Sequence, residues 1–229
     1  VARKITFIAR TAAGDDAVSR NIEHSNRLGH PLITQSKPVA SRLAVVGGSP
    51  WVKDHLDELK AWDGDIWAIN GALVWCLDNG IDAIFYTIDP MPTLAPIAKR
   101  ATRAILGSSC HPDVFAAVNG PIEVFPFGEL PSGSTTACTA PMAAATKGHT
   151  HITFFGCESS FEDKTHAYSC EASASRVLVE CGGVEYLTTP QLIMQAEYLG
   201  EIARQIPSYI DIRGRGFLPA LVEHGDYSV

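Results

Sequence analysis

From Arg42 onward the chain alternates short apolar runs with segments of helical period, and this alternation limits the folds open to it. Repeated strand–helix–strand units place parallel strands in one sheet and lay the connecting helices over its faces. Residues 43–46 read as a buried strand, followed by Gly47, Gly48 and Ser49 and then a helix through Lys60. Ser49 suits the N-cap of that helix and Pro50 its first position. Residues 65–69 read as the second strand, with a helix from Gly71 to Asn79 stopped by Gly80. The apolar run 81–88 suits a central strand covered on both faces.

The pattern continues with strands at 103–106 and 122–125 around a helix opened by His111, Pro112 and Asp113. A helix of small residues over 134–147 ends at Gly148 and leads into a strand at 150–155. Residues 184–187 read as the last strand, and Thr189 and Pro190 open a helix to Ile206. Residues 1–40 form a polar extension with one helix from Asp15 to Leu28, and 41–229 form one domain. The expected architecture is therefore α/β, a Rossmann-like three-layer fold with a mostly parallel sheet and helices on both faces.

Composition narrows the function classes. The 229 residues are 46% hydrophobic and 19% charged, a globular balance. No apolar run reaches the roughly 18 residues of a membrane span, and the short apolar start broken by Arg10 is too brief for a secretory core. These features lead us to expect a cytoplasmic protein with no membrane partner. The six cysteines are spread without a C-x-x-C pair, which favours free thiols. His149 and His151 share one face of a strand, where solvated histidines are the simpler expectation than a metal pair. A net charge of −7 gives no basic stripe for nucleic acid, yet it leaves nucleotides open, since backbone amides can hold phosphates. The sequence is also compatible with a homo-oligomer.

Candidate chemistry gathers just after the strands, at the edge where open α/β sheets bind ligands. Gly47, Gly48 and Ser49 link a strand to a helix start, where free amides can hold phosphate, or they form a simple tight turn. Asn70 offers an amide to a base or ribose, or it is a turn residue before Gly71. Asp89 ends the buried third strand and can hold Mg²⁺ beside phosphates, hydrogen-bond a ribose, act as a catalytic base, or cap the segment after Pro90. Gly133, Ser134 and Thr135 open the small-residue helix as an anion site beyond what capping alone needs. Glu158 follows the strand 150–155, and the loop after it carries Glu162, Asp163 and His166, an acid–base grouping or a solvated polar connector.

These residues carry a resemblance. Residues 132–148, the run 152–158 and the segment 163–168 resemble the domain shared by motility accessory factor proteins, which glycosylate flagellin, and archaeal 6-hydroxymethylpterin diphosphokinases. The 47–50 turn, Asn70-Gly71 and Ile88-Asp89-Pro90 look like earlier motifs of the same family, and small bacterial sialyltransferases are a more distant likeness. The resemblance covers roughly residues 40–170. It implies a nucleotide or nucleotide sugar as ligand, with phosphate at Gly47, Gly48 and Ser49 and at Gly133, Ser134 and Thr135. Asn70, Asp89 and Glu158 would contact the same ligand, with Mg²⁺ at Asp89, and His166 and Asp89 would be catalytic. Thr87 stands where the pterin kinases carry the first of two aspartates, and their histidine-rich loop is missing. The expected function is transfer of a sugar from a CMP-nonulosonate-like donor. The alternatives are a Mg²⁺-dependent pyrophosphokinase for a pterin-like alcohol and a non-catalytic nucleotide-binding module.

Overall fold

A computed structural model describes residues 13–129, 133, 135–161 and 176–229. In chain order the elements are α1 (Asp15–Leu28), β1 (Val39–Val46), a tight 3-10 segment (Pro50–His55), α2 (Leu56–Lys60), β2 (Asp65–Ile69), α3 (Ala72–Asp78) and β3 (Ile84–Thr87). They continue with α4 (Ala95–Ala98), β4 (Ala104–Gly107), α5 (Pro112–Ala117), β5 (Ile122–Phe125), α6 (Thr136–Thr146) and β6 (His149–Phe155). The chain closes with β7 (Val177–Cys181), β8 (Val184–Thr188), α7 (Pro190–Gln205), β9 (Ile210–Ile212) and α8 (Phe217–His224).

Seven strands form one sheet in the order β5-β4-β3-β2-β1-β6-β9, and every pairing is parallel. Alternate side chains of each strand feed two cores. Leu43, Val45, Trp67, Tyr86 and Phe154 pack toward α6, α7 and α8. Ala44, Val46, Phe85, Leu106 and Phe155 pack toward the 3-10 segment and α2 to α5. This is the expected three-layer α/β arrangement. The small residues of α6 let it lie close to the sheet, with Ala137, Ala140, Ala143 and Ala144 all buried. There the Tyr86 hydroxyl meets Thr139 Oγ1 at 2.7 Å.

Several local expectations change. The third strand begins at Ile84 rather than Ile81, because Ile81 N–H returns to Cys76 O at 2.9 Å and the run's first residues turn the chain off α3. The segment from Pro50 to Lys60 is two elements, parted at His55, where φ −107° and ψ 14° leave helical geometry. Residues 184–187 form a strand, but not one of the main sheet. β8 pairs antiparallel with β7 in a separate hairpin turned at Gly182 and Gly183. The last strand of the sheet is the three-residue β9, too short for periodicity to reveal. The N-terminal extension docks on the domain: Ile33 N–H donates to Val124 O and Val124 N–H to Pro31 O, adding a bridge beside β5. His149 is buried rather than solvated, with Nδ1 3.0 Å from Ser41 Oγ, and burial lowers its pKa.

The centre of the sheet depends on a backbone contact between Gly47, at the end of β1, and Gly156, at the end of β6. A Cβ on Gly156 would stand 2.5 Å from Gly47 O, and one on Gly47 would collide with Gly156 O and crowd Cys157 Sγ at 2.6 Å. Gly156 also holds φ +67°, which other residues adopt only with strain. Gly80 shares the positive φ, at +74°, but has open space where a Cβ would go. Gly80→Ala should therefore cost only the conformational strain, about 1 kcal/mol. Gly156→Ala should cost roughly 3 kcal/mol or more, because strain and steric overlap add. Urea unfolding of the two variants beside the parent measures the difference, and equal losses would mean the contact relaxes freely.

Candidate functional site

The order of strands reverses beside β1: β2 to β5 extend to one side and β6 and β9 to the other. Loops leaving the carboxyl ends of β1 and β6 diverge at such a point and leave a crevice where open α/β sheets take ligands. The loop after β1 is Gly47, Gly48 and Ser49, and the loop after β6 begins Gly156, Cys157 and Glu158.

Two amides expected to face a phosphate are turned to protein instead. Gly47 N–H donates to Phe155 O at 2.7 Å and Ser49 N–H to Gly156 O at 3.0 Å. These bonds continue the β1–β6 pairing, so the glycine at 47 serves close approach of two strands. The Ser49 hydroxyl accepts from Trp51 N–H at 3.4 Å, capping the 3-10 segment. Gly48 is the more open residue of the three.

The start of α6 comes to the same edge. Thr135 is its N-cap, accepting from Cys138 N–H at 3.2 Å, and its hydroxyl donates to Gln195 Oε1 at 3.1 Å. Gln195 in turn donates to Ser159 Oγ at 3.1 Å, and the Thr188 hydroxyl donates to Ser159 O at 2.7 Å. A polar chain thus ties the α6 start to the loop after β6. Gly133 packs against Cys138 and Tyr198, where a Cβ would collide. Ser134 and His166 lie outside the described residues. Ser159, Thr188 and Gln195 had no motif to mark them; only the position of Ser159 after β6 was a signal.

Glu158 stands apart. It is 0% exposed, and neither carboxyl oxygen has a hydrogen-bond partner among the described residues. Burial pushes its pKa up to about 7; the Ser49 hydroxyl and its own amide lie close enough to favour the charged form, though neither meets the geometry of a hydrogen bond. Trp51 and Gly216 adjoin it, with Gly214 over the carboxyl. Arg215 lies on the exposed side, 5.7 Å above the Trp51 ring and 3.7 Å from Asp54.

Asn70 and Asp89 occupy the same edge at the ends of β2 and β3. Asn70 has φ +49° and a buried Oδ1 without a partner among the described residues. Asp89 is half-buried, and its Oδ1 accepts from Met91 N–H at 2.9 Å, the capping arrangement. Thr87 is buried and its hydroxyl accepts from Asp89 N–H at 3.0 Å. Burial raises the Asp89 pKa. Its donor set is poor for Mg²⁺: one carboxylate with an oxygen already engaged, and no group of three metal-ligating side chains among the described residues. α1 crosses this side, where Asn21 donates to Pro90 O at 3.2 Å and Ser109 O at 2.9 Å. A cavity of about 280 Å³ lined by Lys60, Asp65, Asp82 and Arg103 lies at the opposite edge, where β2 and β4 begin, away from these groups.

No protein-family model matches the chain, and no curated protein matches it by sequence. Among solved structures it is similar to "MAf glycosyltransferase from Magnetospirillum magneticum AMB-1", with a TM-score of 0.64 and 19% identity. The match covers 88% of this chain and 37% of that one, so the chain spans little over a third of its structural neighbour's length. The likeness establishes a shared fold. No helix among the described residues is long and apolar enough to cross a membrane.

The buried acid at 158 predicts a pH signature. A carboxyl whose folded pKa is about 7, against 4.5 ordinarily, favours the folded state while both forms are protonated. That contribution is fully present below pH 4.5 and is lost as pH rises to 7, a change of about 3 kcal/mol. Glu158→Gln keeps the shape without the titration. The stability difference between parent and variant should therefore move in the variant's favour across this window in urea melts. A difference independent of pH would place a partner on the carboxyl.

Proposed function

We propose that this chain is a transferase that takes a nucleotide-activated sugar, of the CMP-nonulosonate kind, in the crevice between β1 and β6. The observation that carries this reading is the convergence at one sheet edge of buried polar groups with unused hydrogen-bonding capacity, Glu158 and the Asn70 carbonyl foremost. Buried polar atoms without partners are rare in folded proteins and point to a ligand that completes them. Similarity in fold to a protein described as a glycosyltransferase supports the same class.

In this reading the donor's phosphate lies beside Gly48 and the α6 start, including Gly133, Ser134 and Thr135, with Gly47 and Ser49 shaping the turn. Asn70, Asp89 and Glu158 contact the nucleoside. His166 takes the proton from an acceptor hydroxyl as its oxygen attacks the anomeric carbon. The bond from that carbon to the phosphate oxygen breaks, and the nucleotide leaves with the electron pair. No step passes through a metal at Asp89. The single carboxylate after β3 gives no support to a pyrophosphokinase, whose phosphates need stronger cation binding.

A thermal-shift series with nucleotides and nucleotide sugars tests the reading. A true ligand at a hundredfold excess over its dissociation constant should stabilise the protein by about 2.7 kcal/mol. Asp89→Asn should weaken that binding with the fold intact. His166→Ala should leave donor binding near the parent's and lower turnover by roughly 10²–10⁴-fold. Absence of any nucleotide-dependent shift would reject the proposal.

A further inference from the structure

A short arch after β9 joins the two walls of the crevice. Arg213 N–H donates to Phe154 O at 2.8 Å, Phe217 N–H to Ser160 Oγ at 2.9 Å, and Leu218 N–H to Glu158 O at 2.8 Å. Both feet of the arch are thus pinned to β6 and its continuation. Between them φ is +105° at Gly214 and +141° at Gly216, a path that favours glycine. A Cβ on Gly214 would collide with the Glu158 carboxyl, and one on Gly216 would meet Ser160 Oγ at 2.5 Å and the Trp51 ring at 2.9 Å. The arch is therefore wedged between the loop after β6 and the segment after β1. Arg215, between the two glycines, is the one residue of the crossing with a side chain.

Of the two arginines here, Arg215 is the less committed. Arg213 is engaged on both sides, its Nε 3.1 Å from Asp211 and 3.7 Å from Glu58. Arg215 is 70% exposed and stands 5.7 Å above the Trp51 ring, with Asp54 at 3.7 Å as its acidic partner. An exposed pair at that separation is weak and exchanges readily. Trp51 and Asp54 belong to the 3-10 segment that follows Gly48 and Ser49, so the guanidinium hangs over the β1 side of the crevice. Charge makes that position matter. Asp54, Asp89 and Glu158 put acids around the crevice, and the whole chain carries a net charge of −7. The Gly47 and Ser49 amides are already engaged in the β1–β6 pairing. A phosphorylated ligand entering here needs a cation, and a guanidinium offers the paired donors that suit phosphate oxygens.

We propose that Arg215 is the phosphate-binding side chain of the crevice, held by Asp54 in the free protein and exchanging that carboxylate for the donor's phosphate. The arch fixes its backbone between the two loops, and the loose contact with Asp54 leaves the guanidinium replaceable. This rests on the nucleotide-donor reading above and names the group that tells a nucleotide from its nucleoside. Lys53 lies exposed on the same 3-10 segment, with the same charge but no place on the arch. Its removal changes the net charge equally, which makes it the control.

The experiment measures dissociation constants of CMP and cytidine by calorimetry for the parent, Arg215→Ala, Arg215→Lys and Lys53→Ala, with far-ultraviolet circular dichroism confirming each fold. The ratio of the two constants isolates the phosphate. The parent should prefer CMP by roughly tenfold or more, the scale of a hydrogen bond between charged groups. Arg215→Ala should lower that preference about tenfold and leave cytidine within about twofold of the parent. Arg215→Lys, a point charge without the fork, should fall between them, and Lys53→Ala should keep the parent's preference. A preference that survives Arg215→Ala, or that falls as far in Lys53→Ala, would overturn the inference. So would an equal loss of CMP and cytidine in Arg215→Ala, or a parent that does not distinguish them. Each of these results leaves the nucleotide-donor reading standing. Failure of both CMP and cytidine to bind the parent would overturn both.

Discussion

The meeting of Gly47 and Gly156 sets the geometry of everything at the carboxyl edge. β1 and β6 are neighbours in the sheet but far apart in sequence, and they stay paired to their last residues because neither glycine carries a side chain there. The Gly47 and Ser49 amides extend that pairing past the strands. Their loops can then separate only beyond this point. One runs into the 3-10 segment with Trp51, and the other carries Glu158 beneath the arch after β9. The point at which the two loops part is fixed by how long the two backbones remain in contact.

Burial and polarity pull in opposite directions at this edge. The core below packs apolar side chains on both sheet faces, with Trp67, Tyr86 and Phe154 fully buried, and leaves only the isolated Trp67 Nε1 and Thr153 Oγ1 without partners among its described strand residues. Above it, Asn70 and Glu158 bury polar atoms that the described protein leaves unpaired. Such atoms weaken the folded state, each by an amount comparable to a lost hydrogen bond. A fold that retains them gains only where another molecule completes them. By contrast, the polar chain from Thr135 through Gln195 to Ser159 and Thr188 is satisfied internally. It holds the α6 start against the loop after β6, and this positions the helix terminus beside the crevice.

The loop after β1 shows how one motif can mark a place without giving the reason for it. A glycine pair between a strand and a helix start marks the carboxyl edge of a parallel sheet. It does not reveal whether the missing side chain makes room for a phosphate or for another strand. Here, at Gly47, it makes room for β6. Asp89 is a parallel case, because the proline after it and the Met91 amide give the carboxylate a capping role that the sequence leaves as one option among several.

The amino-acid pattern by itself determined the layers. Alternation of apolar runs with helical segments specifies parallel strands with helices on both faces, since local period and burial are properties of short stretches. It also located the edge where polar residues gather, because turn chemistry falls at strand ends whatever the strands later pair with. Tertiary structure alone decided strand order, and with it which ends become neighbours. The pairing of β1 with β6, the exile of β7 and β8 to a hairpin and the addition of the three-residue β9 are contacts between distant segments, on which periodicity is silent. The arch over Glu158 follows from β9. An Arg-Gly-Arg-Gly run has no local signal of what it covers, and the buried environment that raises the Glu158 pKa exists only when that run, the 3-10 segment and the end of β6 are brought together.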